Sequence, residues 1–135
     1  MKIIGIEHVG IAVEDLKKSG KFWDYILESN KKYTEIVEDQ DVITDIYDTG
    51  QGKIELLFSQ KKNSIISKFL KKRGQGIHHI CLKVENIKVA IEELNKKGVE
   101  LIGDNYTIGA EGYKIIFIHP RSTGGVLVEL AEAKE

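Results

Sequence analysis

The sequence predicts an α+β fold made of two tandem βαβββ modules, and three observations support this prediction. Residues 6–16 (IEHVGIAVEDL) and 77–87 (IHHICLKVENI) form a near repeat. The halves also close alike, with KIELL at 53–57 and LVELA at 127–131. No Pro- or Ser-rich linker separates them, and a chain of 135 residues fits one domain. We therefore expect residues 1–135 to form a single domain of two similar halves.

Module one, about residues 3–58, is predicted from alternation and helical periodicity. Its helix has a broad apolar face that includes Phe22, Trp23 and Ile26. A Gly50-Gln51-Gly52 turn separates its last two strands. The predicted elements are a strand at 3–13, a helix at 15–28, and strands at 33–38, 42–48 and 53–58.

A linking helix, about residues 64–72, precedes module two, about residues 77–131. The linking helix starts after a Ser and ends in lysines, as capping and the helix dipole favour. Module two repeats the order of module one, so we expect a predominantly antiparallel sheet. Its predicted elements are a strand at 77–84, a helix at 87–97 ending at Gly98, strands at 99–103, 114–118 and 126–131, and turns at 109–112 and 119–125.

Composition excludes several classes of function. The net charge of −1 lacks the basic excess of a nucleic-acid-binding surface, so we expect no nucleic-acid partner. No apolar run approaches the length of a membrane span, and the N-terminal residues lack a signal-peptide pattern, so we expect no membrane association. The single Cys81 rules out an intrachain disulfide and is interpreted as a buried, inert thiol. These features favour a cytoplasmic protein.

Four residues recur at equivalent points of the repeat, and they predict a metal site. His8 matches His79, and Glu55 matches Glu129. Imidazole nitrogens and carboxylate oxygens suit divalent Ni, Co, Zn, Mn or Fe, and the mixture does not choose among them. A lone Glu in an apolar strand usually points to solvent, but a repeated Glu beside a repeated His argues against that interpretation. We therefore predict that all four residues bind one divalent metal ion.

Other motifs are explained by ordinary structure. His78 adjoins His79 and should face the other side of its strand, so it is interpreted as structural. His119 precedes Pro120 and is interpreted as a turn residue. The chain contains no phosphate-binding loop, dinucleotide fingerprint or nucleophile elbow.

With these motifs, the chain resembles the vicinal oxygen chelate superfamily, also called the glyoxalase/bleomycin-resistance/dioxygenase fold. Within it the chain looks most like the methylmalonyl-CoA epimerase family, notably at RGQGIHH (73–79) and HPRSTGGVLVEL (119–130). The resemblance implies a curved sheet around a metal site, with His8, His79 and Glu129 as ligands. It also implies an acyl-CoA thioester substrate, a homodimer, and Glu129 as one of two acid/base groups.

The second acid/base group is where the chain departs from this resemblance. Well-studied epimerases carry a Glu on the strand matching residues 42–48, and the alignment places Thr44 there. Asp45 is the nearest carboxylate, but a shift of one residue turns a side chain to the other face of a strand. A β-bulge would present Asp45 to the site, and a regular strand would not. Both alternatives stay open at this point.

The leading functional hypothesis is an isomerase that epimerises methylmalonyl-CoA by removing and returning the proton alpha to the thioester. A metal ion would stabilise the enolate that forms. The first alternative is a glyoxalase I-type lactoylglutathione lyase, which uses the same metal set. However, glyoxalase I enzymes typically carry a DPDGY-like turn where this chain has HPRSTGGV. The second alternative is a non-catalytic, antibiotic-sequestering member of the fold, and such members commonly lack the metal set.

Overall fold

In the computed structural model, residues 1–28, 32–38 and 41–134 are described. The chain forms two compact units, one of residues 8–78 and the other of residues 1–7 with residues 79 onward. The first unit holds most of module one and the linking helix, and the second holds module two from His79 onward.

Module one has the predicted order of elements. Its elements are β1 (Ile3–Ala12), α1 (Leu16–Leu27), β2 (Lys32–Val37), β3 (Val42–Asp48) and β4 (Lys53–Phe58). β3 pairs antiparallel with both β2 and β4, and β4 pairs parallel with β1. Asp15 caps α1 by accepting a hydrogen bond from the backbone N–H of Lys18 at 2.9 Å.

One face of this module packs against α1 and forms a core. The helix contributes Leu16, Trp23 and Leu27, which contact a cluster that includes Tyr47 and Leu56. These three helix positions are seven and four residues apart and so form one stripe. The prediction that Phe22 and Ile26 also lie on the apolar face was wrong, because each precedes a stripe residue by about 100° of helix rotation. Phe22 and Ile26 are exposed.

Module two repeats this arrangement. Its elements are β5 (Gly76–Val84), α3 (Ile87–Lys96), β6 (Leu101–Ile108), β7 (Lys114–Ile118) and β8 (Val128–Glu132). β7 pairs antiparallel with β6 and β8, and β8 pairs parallel with β5. β6 is longer than the predicted strand at 99–103, and its register shifts between Ile102 and Thr107. Gly103, Asp104 and Asn105 disfavour a strand locally, so the sequence pattern missed its second part.

Helix α3 covers one face of module two with apolar side chains. Ile87, Ala90, Ile91 and Leu94 are buried at the spacing of a single helical stripe. They pack against sheet residues that include Leu130. Gly98 follows the helix with φ 76°, the left-handed conformation expected of a helix-terminating glycine.

The linking helix, α2 (Ile65–Arg73), belongs to the first unit. Ser64 caps it by accepting from the backbone N–H of Ser67 at 3.1 Å. Ile66 packs against Ala12, Val42 and Leu57. No helix within the described ranges has the length and apolar character needed to cross a membrane. The predicted α+β class, with two βαβββ modules and mainly antiparallel pairing, is confirmed.

Candidate metal and acid/base site

Each module brings its predicted His and Glu together on neighbouring parallel strands. In module one, Glu55 pairs in register with Gly10, two residues beyond His8. In module two, Glu129 pairs with Cys81, again two residues beyond His79. Because residues two apart in a strand share a face, each Glu lies on the same face as its His. The repeat seen in the sequence is therefore also a repeat of strand register.

The four side chains are buried rather than solvated. Their exposed fractions are 8% for His8, 5% for Glu55, 6% for His79 and 7% for Glu129. The Nδ1 atom of His8 lies 3.1 Å from Oε2 of Glu55. The Nε2 atom of His79 lies 3.2 Å from Oε1 of Glu129. The interpretation of either Glu as an ordinary solvent-facing residue is wrong.

The chemistry and spacing of each pair fit two ligands of one divalent ion. Nitrogen and oxygen ligands lie about 2.1 Å from such an ion, so two of them at right angles are about 3 Å apart. The observed separations of 3.1 and 3.2 Å have this value. Burial of two carboxylates is costly unless positive charge compensates it, and a bound cation would do so.

Apolar side chains lie next to the His79–Glu129 pair in module two. The ring of Phe117 meets the ring of His79 edge-on, with centroids 5.8 Å apart. Cys81 is fully buried and clusters with Ile115 and Ala131. The ring of Phe117 packs against the imidazole, and Cys81 is confirmed as a buried thiol.

The structure places Asp45 on the face opposite Glu55. β3 pairs with β4 in unbroken register from Ile43 to Asp48, so no bulge occurs at this point. Ile46 is the direct neighbour of Glu55, and Asp45 therefore points to the other side. The Asp45 carboxylate accepts a hydrogen bond from Thr34 Oγ1 at 2.6 Å. Of the two alternatives for this strand, the regular one is found.

A carboxylate that the sequence interpretation missed lies on the Glu55 face. Glu35 on β2 pairs directly with Thr44 on β3, and Thr44 pairs with Leu57 on β4. Leu57 is two residues beyond Glu55, so this row of three residues shares the face of Glu55. Counting strand register across the β2–β3 hairpin would have revealed Glu35, but sequence matching alone does not.

The remaining histidines have structural contacts. The ring of His78 meets the ring of Phe69 edge-on, with centroids 4.9 Å apart. The Nδ1 atom of His119 accepts a hydrogen bond from the backbone N–H of Arg121 at 3.0 Å. Both histidines therefore behave as predicted, outside the His–Glu pairs.

Comparisons with known proteins identify relatives over nearly the whole chain. The family model of the Glyoxalase/Bleomycin resistance protein/Dioxygenase superfamily matches residues 7–117. The mitochondrial methylmalonyl-CoA epimerase of Homo sapiens is 39% identical over 95% of this chain and 73% of its own length.

Solved structures of similar proteins agree with the fold. The methylmalonyl-CoA epimerase of Mycobacterium tuberculosis matches with a TM-score of 0.90 at 32% identity, over 98% of this chain and 90% of that one. A variant of the Streptomyces coelicolor methylmalonyl-CoA epimerase, in complex with 2-nitronate-propionyl-CoA, matches with a TM-score of 0.90 at 28% identity. That match covers 99% of this chain and all of the other.

Proposed function

The chain belongs to the Glyoxalase/Bleomycin resistance protein/Dioxygenase superfamily, and we propose that it is an isomerase that interconverts the two epimers of methylmalonyl-CoA. The observation that carries this proposal is its 39% identity to a methylmalonyl-CoA epimerase over 95% of the chain. The His–Glu pairs, one in each module, supply groups suited to this chemistry. The substrate class is therefore an acyl-CoA thioester that also carries a free carboxylate.

The reaction requires removal of a weakly acidic proton from the carbon between the thioester and the carboxylate. The negative charge moves onto oxygen as the C–H bond breaks, so stabilisation of that oxygen lowers the barrier. A group on the protein must also accept the proton. These two requirements define what the site has to provide.

We propose that His8, Glu55, His79 and Glu129 together bind one divalent metal ion, such as Co, Ni, Mn or Zn, with both modules acting as one domain. The equal strand register of the two pairs and the separations of 3.1 and 3.2 Å support this proposal. When bound, the ion supplies a positive charge for the enolate oxygen. Glu129 has the additional role of exchanging the α-proton with the substrate carbon. Its neighbours on the adjacent strands, Cys81 and Phe117, are apolar and leave that buried residue little contact with water.

The reaction can be tested by proton exchange. The purified protein, loaded with metal, is incubated with methylmalonyl-CoA in D2O, and the α-proton signal is followed by NMR. We expect loss of this signal together with interconversion of the epimers, and chelation of the metal should stop both. A parallel assay uses the methylglyoxal–glutathione hemithioacetal. Turnover of the hemithioacetal without exchange on methylmalonyl-CoA would overturn the proposal in favour of a glyoxalase I-type lyase, and inactivity towards both would favour a binding protein.

We further propose a homodimer that resides in the cytoplasm. Ile4 and Ile6 on β1 are exposed apolar side chains, which are common at contacts between protein copies. The free, buried Cys81 suits a reducing compartment. Light scattering on the purified protein tests the first statement, and fractionation of cells tests the second.

A further inference from the structure

Epimerisation needs a proton-transfer group on each side of the substrate carbon, and Glu129 serves only one side. We infer that Glu35 is the second group, an inference that rests on the proposed epimerase function. In one direction, a Glu129 carboxylate takes the α-proton and the C–H electron pair enters the enolate. A neutral Glu35 carboxyl then gives its proton to the opposite side of that carbon. In the reverse direction the two groups exchange these roles.

Strand register places Glu35 on the correct face. Glu35, Thr44 and Leu57 form a row across β2, β3 and β4, two residues beyond the row that contains Glu55. Neighbouring strands are about 4.8 Å apart, and a Glu side chain is long enough to cross one such spacing. The carboxylate of Glu35 can therefore lie over Thr44, which is itself buried.

Burial also distinguishes Glu35 from Asp48, the other acidic residue of this face outside the proposed metal site. Glu35 is half-buried whereas its neighbours Thr34 and Ile36 are exposed, and its Oε2 atom is shielded from solvent. Within the described residues of β2, β3 and β4, the other carboxylates on this face are Asp48 and Glu55. Asp48 is exposed and accepts a hydrogen bond from the backbone N–H of Gly50 at 2.8 Å, in the turn. Glu55 is assigned to the metal.

Module two gives an internal comparison for the same row. The row two residues beyond Glu129 consists of Ala131, Ile115 and Thr107. No ionisable group occurs in that row, whereas the equivalent row of module one ends in Glu35. Packing of the sheet therefore does not require a carboxylate at this point of the repeat. Of these two rows, the one in module one carries the acid Glu35, and Glu129 lies in module two.

The test follows each epimer separately in D2O, with wild-type protein and Glu35→Gln. With Gln at 35, the epimer that Glu129 deprotonates should still exchange its proton, but with retention of configuration. The other epimer should neither exchange nor convert, and epimerisation should fall by about 100- to 10,000-fold. Glu35→Asp, which keeps the acid but shortens it, should show the same one-sided loss to a smaller extent. Metal titration should give equal affinities for wild type and both variants.

A rescue variant and a matched control complete the experiment. Thr44→Glu placed in the Glu35→Gln background puts a carboxylate directly opposite position 35 and should restore exchange of the second epimer. Asp45→Asn, on the other face of β3, should exchange both epimers as wild type does. Conversion of both epimers at wild-type rates by Glu35→Gln would overturn the inference. So would an equal loss for both epimers, which would indicate a structural role. Absence of exchange in the wild type would instead reject the proposed function.

Discussion

In module one, helix α1 adds a side-chain hydrogen bond to the apolar contacts with which it packs on its sheet, whereas the equivalent position beneath helix α3 in module two is apolar. Tyr47 donates a hydrogen bond to the carboxylate of Asp24 on α1 at 2.7 Å. Counted from the Glu of each module, the position of Tyr47 is taken in module two by Ile118. Ile118 belongs to the apolar cluster beneath α3.

On the other face of the sheet, away from the helix, the two modules are alike. There, the His and Glu of each module keep the same register and nearly the same separation. The two modules therefore agree at the proposed metal ligands and differ where they only pack. A core can be filled in several ways at similar stability, but a pair of metal ligands needs one geometry.

The largest effect should come from removing one imidazole from either module. His8→Ala and His79→Ala should each lower the affinity for the divalent ion by at least about 100-fold, since loss of outer-shell partners alone already costs up to about that amount. Because the two pairs have the same register, the two losses should be similar. Calorimetric titration with Co or Zn measures both. Tight binding that survives the double variant would disprove the shared site, and loss in only one single variant would limit the site to one module.

The two glutamates should differ in role although they match in position. Glu129→Gln should retain much of the metal affinity, because the amide oxygen remains a ligand, but should lower turnover by about 100- to 10,000-fold, because it cannot accept a proton. Glu55→Gln is the matched control and should retain far more turnover. Turnover and metal content measured on the same preparations separate the two effects. Near-normal turnover in Glu129→Gln would remove Glu129 from the acid/base role.

The sequence predicted most of the fold because local signals and the fold agree. Ser64 caps the linking helix as predicted, and Asp15 and Asn86 cap α1 and α3 in the same way. The internal repeat predicted that His8 pairs with Glu55 as His79 does with Glu129, and the equal strand register of the two pairs agrees with it.

The sequence did not predict features that depend on strand pairing rather than on a local pattern. Glu35 is the fourth residue of β2, and nothing in the neighbouring sequence marks it as functional. Its position became visible only through its pairing with Thr44. Similarly, Asp45 is close to the expected acid in sequence, but the regular alternation of β3 turns it away. Phe22 is exposed because α1 packs against the sheet through a neighbouring stripe of the helix, and the sequence did not predict which stripe that would be.

The polar contact beneath α1 should contribute measurably to stability. Tyr47→Phe removes the hydrogen bond to Asp24 and should lower the free energy of unfolding by about 1–2 kcal/mol, since Asp24 can regain water. Gly20 lies against this contact, and a Cβ atom there would be 3.3 Å from the Tyr47 hydroxyl, so the hydroxyl would have to shift slightly. Tyr25→Phe, at an exposed position of the same helix, is the control and should have little effect. Urea titration provides the comparison, and equal stability of Tyr47→Phe and wild type would show that the polar contact is energetically neutral.

The smallest effect concerns acid pH. The hydrogen bond from Tyr47, followed by the nearby Lys32, holds the pKa of Asp24 below its usual value. Because the pKa is lower in the folded state, the stability from this carboxylate is present above its unfolded pKa of about 3.9 and is lost as the pH falls through the folded value. Asp24→Asn should therefore be less stable than wild type by a constant amount at pH 5–7, and the difference should shrink below about pH 4. Urea titrations of both proteins from pH 7 to pH 3 measure this difference. Module two has an apolar helix interface, so Ile118→Val, its matched variant, should show a stability loss that stays constant over the same range. If the stability difference between Asp24→Asn and wild type also stayed constant with pH, the charge of Asp24 would contribute nothing to stability. The two helix interfaces would then differ in shape alone.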